Sequence, residues 1–278
     1  MKTAKAMVLT GFGLNCDYET DHALKLVGAE SRRVHINELI KGDKSGQRVE
    51  LSEYHLLVFD GGFSWGDDHG AGVVMATRFR SHLGRQLDQF IADGKLIIGI
   101  CNGFQVMVNL GLLPGLDGDY HSRTVALIPN DSGIFRDDWI HLAFNRESPC
   151  VFTQGLEYMP LPVRHGEGKL YASPEMIDRL KNQHLAVCTY ARPDGSPANG
   201  RFPFNPNGSL ADIAGICDPT GRIFGLMPHP EAYNHWTNHP TWTRTKEALK
   251  RQGRPYPDGP GDGIKLFSNA VDYIKANL

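Results

Sequence analysis

The chain has 278 residues, with 29 Lys plus Arg against 31 Asp plus Glu, so no long-range field gathers nucleic acid or an anionic membrane surface. Its five cysteines, Cys16, Cys101, Cys150, Cys188 and Cys217, are odd in number, widely spaced and free of any C-x-x-C pair, which excludes a disulfide framework and a zinc knuckle. The opening apolar run is too brief for a signal-peptide core and no other run reaches a membrane span, so a cytoplasmic protein without a membrane partner is expected.

Residues 6–9 read as a first strand, and Asn15 or Cys16 caps a helix running to Val27 and stopped at Gly28. Strands follow at residues 31–35 and 55–59, then a helix at 83–92 closed by Asp93-Gly94. Residues 95–100 are almost wholly apolar, as in a central parallel strand buried on both faces, and a helix at 102–110 ends at Gly111. This alternation is the rhythm of a parallel sheet with crossover helices. Beyond Leu113 shorter strand-like runs appear at 124–128, 139–144, 185–190, 212–216 and 223–227. Several are expected to be antiparallel, with Asp218-Pro219-Thr220-Gly221 turning between the last two. Residues 251–263 are rich in Gly and Pro and read as a surface loop before a final helix at 264–276. No repeat or linker divides the chain, so the expectation is one α/β domain over residues 1–278, with a mixed, mainly parallel central sheet flanked by helices.

Gly99-Ile100-Cys101-Asn102-Gly103 follows the buried strand and opens a helix, the context of a nucleophile elbow. The sharp turn exposes the central thiol, and a helix N-terminus favours its thiolate. The backbone N–H of Asn102, with those of Gly62 and Phe63 in Asp60-Gly61-Gly62-Phe63 past a neighbouring strand, can converge on a developing oxyanion. A cysteine that must also deliver a leaving amine needs a proton carrier near neutral pH, and histidine serves best. Pro228-His229-Pro230-Glu231 follows the strand 223–227, and in extended backbone Glu231 faces the same way as His229 and can fix its tautomer. Taken singly, each motif also fits a plainer reading: a tight turn over a buried thiol, an ordinary strand-to-loop turn, and a rigid surface turn.

Together these residues resemble the class I glutamine amidotransferases, whose signatures are Gly-x-Cys-x-Gly-x-Gln and His-Pro-Glu. Gly99, Cys101, Gly103 and Gln105 match the first, and His229, Pro230 and Glu231 the second. The resemblance implies a flavodoxin-like fold, a catalytic triad of Cys101, His229 and Glu231, and L-glutamine as substrate, with Gln105 and, in the stretch Arg164-His165-Gly166-Glu167-Gly168, His165 as substrate-binding residues. Within the class, Asn15-Cys16-Asp17, residues 61–67, Asn205-Pro206-Asn207-Gly208-Ser209 and Met227-Pro228-His229-Pro230-Glu231 are similar to the family of glutaminase subunits of phosphoribosylformylglycinamidine synthase. That likeness implies ammonia passed to a large synthetase subunit carrying ATP and magnesium, with a small bridging subunit, in purine biosynthesis. No cofactor or metal is expected in this chain, which has no Gly-x-x-x-x-Gly-Lys-Ser/Thr loop. Asp60 stands where the family more often has proline, residues 68–70 depart from its pattern, and residues 232–262 look like an insertion.

Other features carry rival readings. Cys16 also begins a helix, without a His-Pro-Glu neighbour. His235 and His239 have an i, i+4 spacing without an evident third ligand. Trp236 and Trp242 suit either a partner surface or ordinary packing. The rival functions are a glutaminase serving another synthetase, a cysteine hydrolase of the intracellular-protease type, and a catalytically silent binding module.

Overall fold

A computed structural model describes residues 3–278. Strand β1 (Lys5–Thr10) leads to helix α1 (Asp17–Leu26), whose Asp17 and Glu19 in the first turn and Lys25 in the last complement the helix dipole. Strand β2 (Glu30–His35) runs into α2 (Ile36–Ile40), which a reciprocal cap between His35 and Glu38 starts. Strand β3 (Leu56–Phe59), helix α3 (Val73–Ala92), strand β4 (Leu96–Ile100) and helix α4 (Asn102–Leu110) follow, and every residue of β3 and β4 is buried. The rest of the chain forms β5 (Ala126–Ile128), β6 (Arg136–Phe144), β7 (Tyr158–His165), β8 (Lys169–Tyr171), α5 (Pro174–Asn182), β9 (Ala186–Ala191), β10 (Ile213–Cys217), β11 (Ile223–Leu226), α6 (Trp242–Arg251) and α7 (Ile264–Asn277).

Among the described residues nine strands form one sheet in the order β2-β1-β3-β4-β11-β10-β9-β6-β7, and β5 pairs with β8 in a separate two-stranded ribbon. Pairings from β2 to β11 are parallel and the four from β11 to β7 antiparallel, so only β10 and β6 run against the other seven. This is the mixed, mainly parallel sheet expected. One continuous apolar core joins both ends of it, containing Leu9, Phe59, Ile98 and Phe224 together with Val187, Leu142 and Val163. Among the described residues no helix is long and apolar enough to cross a membrane.

The differences from expectation have local causes. Helix α3 begins ten residues before the expected start, because its N-cap is the left-handed Gly72 and no side chain caps it. Strand β7 contains Pro160 and Pro162, which suppress a strand reading. It lies at the sheet edge, where a missing N–H is tolerated. Helix α5, unforeseen, has Ser173 as a cap accepting from Met176 N–H and Pro174 in its first turn. The segment 232–262 contains α6, which buries none of its residues.

The register of the central strands sets the site. Phe59 of β3 pairs with Gly99 of β4, and Leu226 of β11 pairs with Ile100. The carboxyl ends of three adjacent parallel strands therefore deliver Asp60-Gly61-Gly62, Cys101 and His229 to one edge, where ligands bind in such sheets.

Candidate active site

Cys101 links β4 to α4 with φ 51° and ψ −107°, a left-handed backbone that costs energy for any residue with a side chain. Its N–H donates to the Leu226 carbonyl (2.9 Å), which ties the elbow to β11. Gly103 lets α4 start against β3, since a Cβ there would meet the Phe59 Cβ at 2.9 Å. The Asn102 side chain locks the next loop by accepting from Ser64 N–H (3.3 Å) and donating to Asp67 (3.3 Å) and to Gln105 Oε1 (3.0 Å).

His229 is fully enclosed beside Glu231, with 2.5 Å between Nδ1 and Oε1. Its backbone N–H donates to the Pro162 carbonyl of β7 (2.9 Å), so the antiparallel end of the sheet fixes the base. Burial, the largest single influence, disfavours the imidazolium, but the Glu231 carboxylate, Cys101 and Cys16 together outweigh it, and the ring is held well above its ordinary value. Nε2 of His229 is buried without a hydrogen-bond partner among the described residues, while the Cys101 thiol donates to the Arg164 carbonyl (3.5 Å). Both side chains line one cavity of about 120 Å³ with Asn15, Cys16, Glu19, Gly62, Phe63, Phe135 and Arg164. Cys101 already acts on the His229 ring, and such a catalytic bond commonly tightens once substrate arrives.

Of the three expected oxyanion donors, the structure leaves two. Phe63 N–H is already donated to the Gly13 carbonyl (2.9 Å), in the bridge that pairs Leu14 with Gly62, so it is not available to an oxyanion. The N–H groups of Gly62 and of Asn102, in the first turn of α4, make no hydrogen bond among the described residues. Gly62 has φ 144°, and a Cβ would meet Leu14 Cα at 2.7 Å, so only glycine fits that turn.

Gln105 and His165 lie beside the cavity rather than in its wall. The Gln105 amide donates to the Glu167 carbonyl (2.5 Å) and accepts from Asn102, tying the β7–β8 turn to the elbow. Successive strand residues face opposite ways, so Arg164 reaches the cavity while His165 turns inward against Asn130 Oδ1 (3.1 Å). Burial, with His229 opposing a second positive charge, pushes His165 down to about 3 and keeps it neutral. Sequence reasoning missed Glu19, Phe135 and Arg164 as wall residues. Only the strand parity at 164–165 carried a signal for one of them.

Cys16 is a wall residue whose Sγ lies 3.9 Å from His229 Nδ1, and burial pushes its thiol up to about 12, so it is no rival nucleophile at neutral pH. Ligand atoms of Cys16, His229 and Glu231 lie within 4.8 Å of one another, a possible metal group that the sequence did not foresee. The 2.5 Å between Nδ1 and Oε1 is nonetheless far shorter than the about 3.3 Å between two ligands on a tetrahedral zinc, so the arrangement suits a proton. His235 and His239 bond separately to Thr237 (2.7 Å) and Thr241 (3.0 Å).

A strained elbow thiol, a buried imidazole–carboxylate pair and free backbone donors on one small cavity make a device for attacking a carbonyl through a thioester. Residues 3–274 match the family described as the CobB/CobQ-like glutamine amidotransferase domain, and the chain belongs to that family. It is 45% identical over 270 residues to the protein of Methanococcus maripaludis named phosphoribosylformylglycinamidine synthase subunit PurQ, covering 97% of each chain. The protein of the same name from Dehalococcoides mccartyi is 45% identical over 275 residues, covering 99% of each. Among solved structures, a chain in the structure of PurLQS from Thermotoga maritima matches with a TM-score of 0.69 and 28% identity, over 98% of this chain and 100% of that one.

Proposed function

We propose that this chain is the glutaminase subunit of a phosphoribosylformylglycinamidine synthase, cleaving L-glutamine and passing the ammonia to a synthetase. The observation that carries the chemistry is the Cys101 elbow opening onto the cavity that also holds His229, itself 2.5 Å from Glu231. The near full-length likeness to PurQ proteins supports the choice of acceptor.

His229 takes the Cys101 proton and the sulfur attacks the side-chain amide carbon. The N–H groups of Gly62 and Asn102 receive the oxyanion. As the tetrahedral intermediate collapses, His229 returns the proton to the departing nitrogen, releasing ammonia and leaving a glutamyl thioester. Water, deprotonated by His229, then attacks the thioester; glutamate leaves and Cys101 regains its proton. Glu231 keeps the imidazolium stabilised throughout. Arg164 and Glu19 give the cavity one positive and one negative side chain, matched to the α-carboxylate and α-ammonium of glutamine.

In water ammonia becomes unreactive ammonium, so the subunit works docked to a large synthetase subunit, with a small bridging subunit, in the cytoplasm. ATP and magnesium belong to that large subunit, which converts formylglycinamide ribonucleotide to formylglycinamidine ribonucleotide. The test is reconstitution with candidate synthetases. The formylglycinamide ribonucleotide enzyme should gain glutamine-dependent synthesis, and Cys101→Ser should abolish it while leaving synthesis from added ammonium salt intact. Failure with that synthetase alone refutes the acceptor, and glutamine turnover by Cys101→Ser refutes the chemistry.

A further inference from the structure

Behind the triad lies a second buried carboxyl group that these steps do not use. Asp60, 1% exposed, follows β3 directly and opens the oxyanion turn. Its Oδ1 is 2.7 Å from Thr20 Oγ1, and the same hydroxyl is 2.9 Å from the Cys16 carbonyl, while Oδ2 is buried without a partner among the described residues. A threonine hydroxyl carries one proton and the Cys16 carbonyl can only accept. If Thr20 donates to Cys16, as its place one turn into α1 favours, the 2.7 Å contact needs its proton from Asp60.

We propose that Asp60 is a positioning residue acting as a neutral carboxylic acid: it donates to Thr20, Thr20 donates to the Cys16 carbonyl, and this chain clamps the oxyanion turn onto the start of α1 while leaving the negative charge behind His229 to Glu231 alone. The clamp has a second strand, since the N–H groups of Asn15 and Cys16 both approach the Gly61 carbonyl (3.3 and 3.4 Å). The fit is close. A Cβ at Gly61 would lie 3.0 Å from His229 Cε1 and 3.1 Å from Cys16 Sγ, so movement of this turn shifts both the base and the Gly62 donor. The titratable groups acting with Asp60 are Glu231 from the segment after β11, Cys16 at the N-cap of α1 and Asp17 in its first turn. Asp17 is paired with Arg33 (2.9 Å). Burial, and then Glu231, hold Asp60 well above the usual carboxylate range against the opposing Thr20 and Gly61 hydrogen bonds.

The inference rests on the glutaminase reading, and its test separates the two. In the reconstituted synthetase complex, Asp60→Asn keeps a neutral donor and should hold kcat within about threefold, with KM and the pH profile unmoved. Asp60→Ala should lower kcat about 10- to 100-fold with little change in KM for glutamine, because an oxyanion donor acts only in the transition state. Infrared difference spectra of the wild-type chain against Asp60→Asn at neutral pH should show a protonated carboxyl band. A carboxylate band alone, an Asp60→Asn variant as impaired as Asp60→Ala, or an unimpaired Asp60→Ala overturns the proposal. If the wild-type complex were inert to glutamine the glutaminase reading would fail, and the infrared result would still decide where the proton sits.

Discussion

Replacing Glu231 with Gln changes one buried atom and tests how the base is held. The carboxylate is completely enclosed, accepts from His229 Nδ1 at 2.5 Å, and is the strongest influence favouring a charged ring against burial. With a neutral amide there burial prevails, and the imidazolium that must form as the thiol loses its proton is no longer supported. The amide can also donate to Nδ1, placing the ring proton on Nε2, where the thiol proton has to go. The equivalent carboxylate-to-amide change in a serine protease triad costs about 10⁴ in kcat. A loss of about 10³- to 10⁴-fold is expected here, which at 1.36 kcal/mol per decade is about 4–5.5 kcal/mol of transition-state stabilisation. The assay is glutamate release by the reconstituted complex at saturating glutamine, with synthesis from ammonium salt confirming an intact partner site. A loss smaller than about tenfold would refute the relay, because the bond would then be structural rather than electrostatic.

Gly103→Ala should abolish stable folding of the elbow, read as a large fall in melting temperature, since the added Cβ meets β3 backbone and the Phe59 Cβ that cannot move aside. Gln105→Met strands the Glu167 carbonyl and should cost about 1–3 kcal/mol in denaturant unfolding. Arg164→Ala and Glu19→Gln should each raise KM for glutamine about tenfold with kcat nearly unchanged, and unchanged KM in both would remove them from substrate recognition. His165→Gln should soften acid unfolding. The folded histidine titrates near 3 and the unfolded one near its ordinary value of about 6.5, so the unfolded chain binds the proton first. The wild-type stability tied to this group is present above that ordinary value and is lost as pH falls toward 3, at up to about 1.4 kcal/mol per unit. Denaturant melts from neutral pH to about pH 4 should show the variant losing less.

The parts of the site legible in the sequence are those with local signatures. The apolar run ending at Ile100, the glycines around Cys101 and the two-residue step from His229 to Glu231 each follow from backbone geometry over a few residues. What escaped depends on partners far along the chain. Phe63 was expected to offer its N–H to an oxyanion, and nothing nearby reveals that Gly13, fifty residues earlier, takes that proton. Between Arg164 and His165 the parity of β7 decides, and its prolines hid the strand that sets the parity. Glu19 reaches the cavity because α1 opens at the carboxyl edge of the sheet, a placement no helical pattern encodes. Helix α6 went unread because its one half-buried face, Trp242, Lys246 and Leu249, carries only two apolar residues.

Convergence of Cys101 with His229, so distant in sequence, reduces to the register of two parallel strands. Ile100 pairs with Leu226, and the elbow N–H closes on the Leu226 carbonyl at 2.9 Å, so the chains leave the sheet side by side. Strand rise is about 3.3 Å per residue, and a slip of two residues, the smallest that preserves which faces are buried, would displace the imidazole by about 7 Å and break the relay. The register is held by shape. Phe104 of α4 packs so closely on Gly225 of β11 that a Cβ there would collide with its ring, and the same helix rests on β3 through Gly103. The glycines that let α4 settle onto these strands thus align the proposed nucleophile, base and oxyanion donors in one step, and a change in that packing would reach the proposed chemistry without touching the triad.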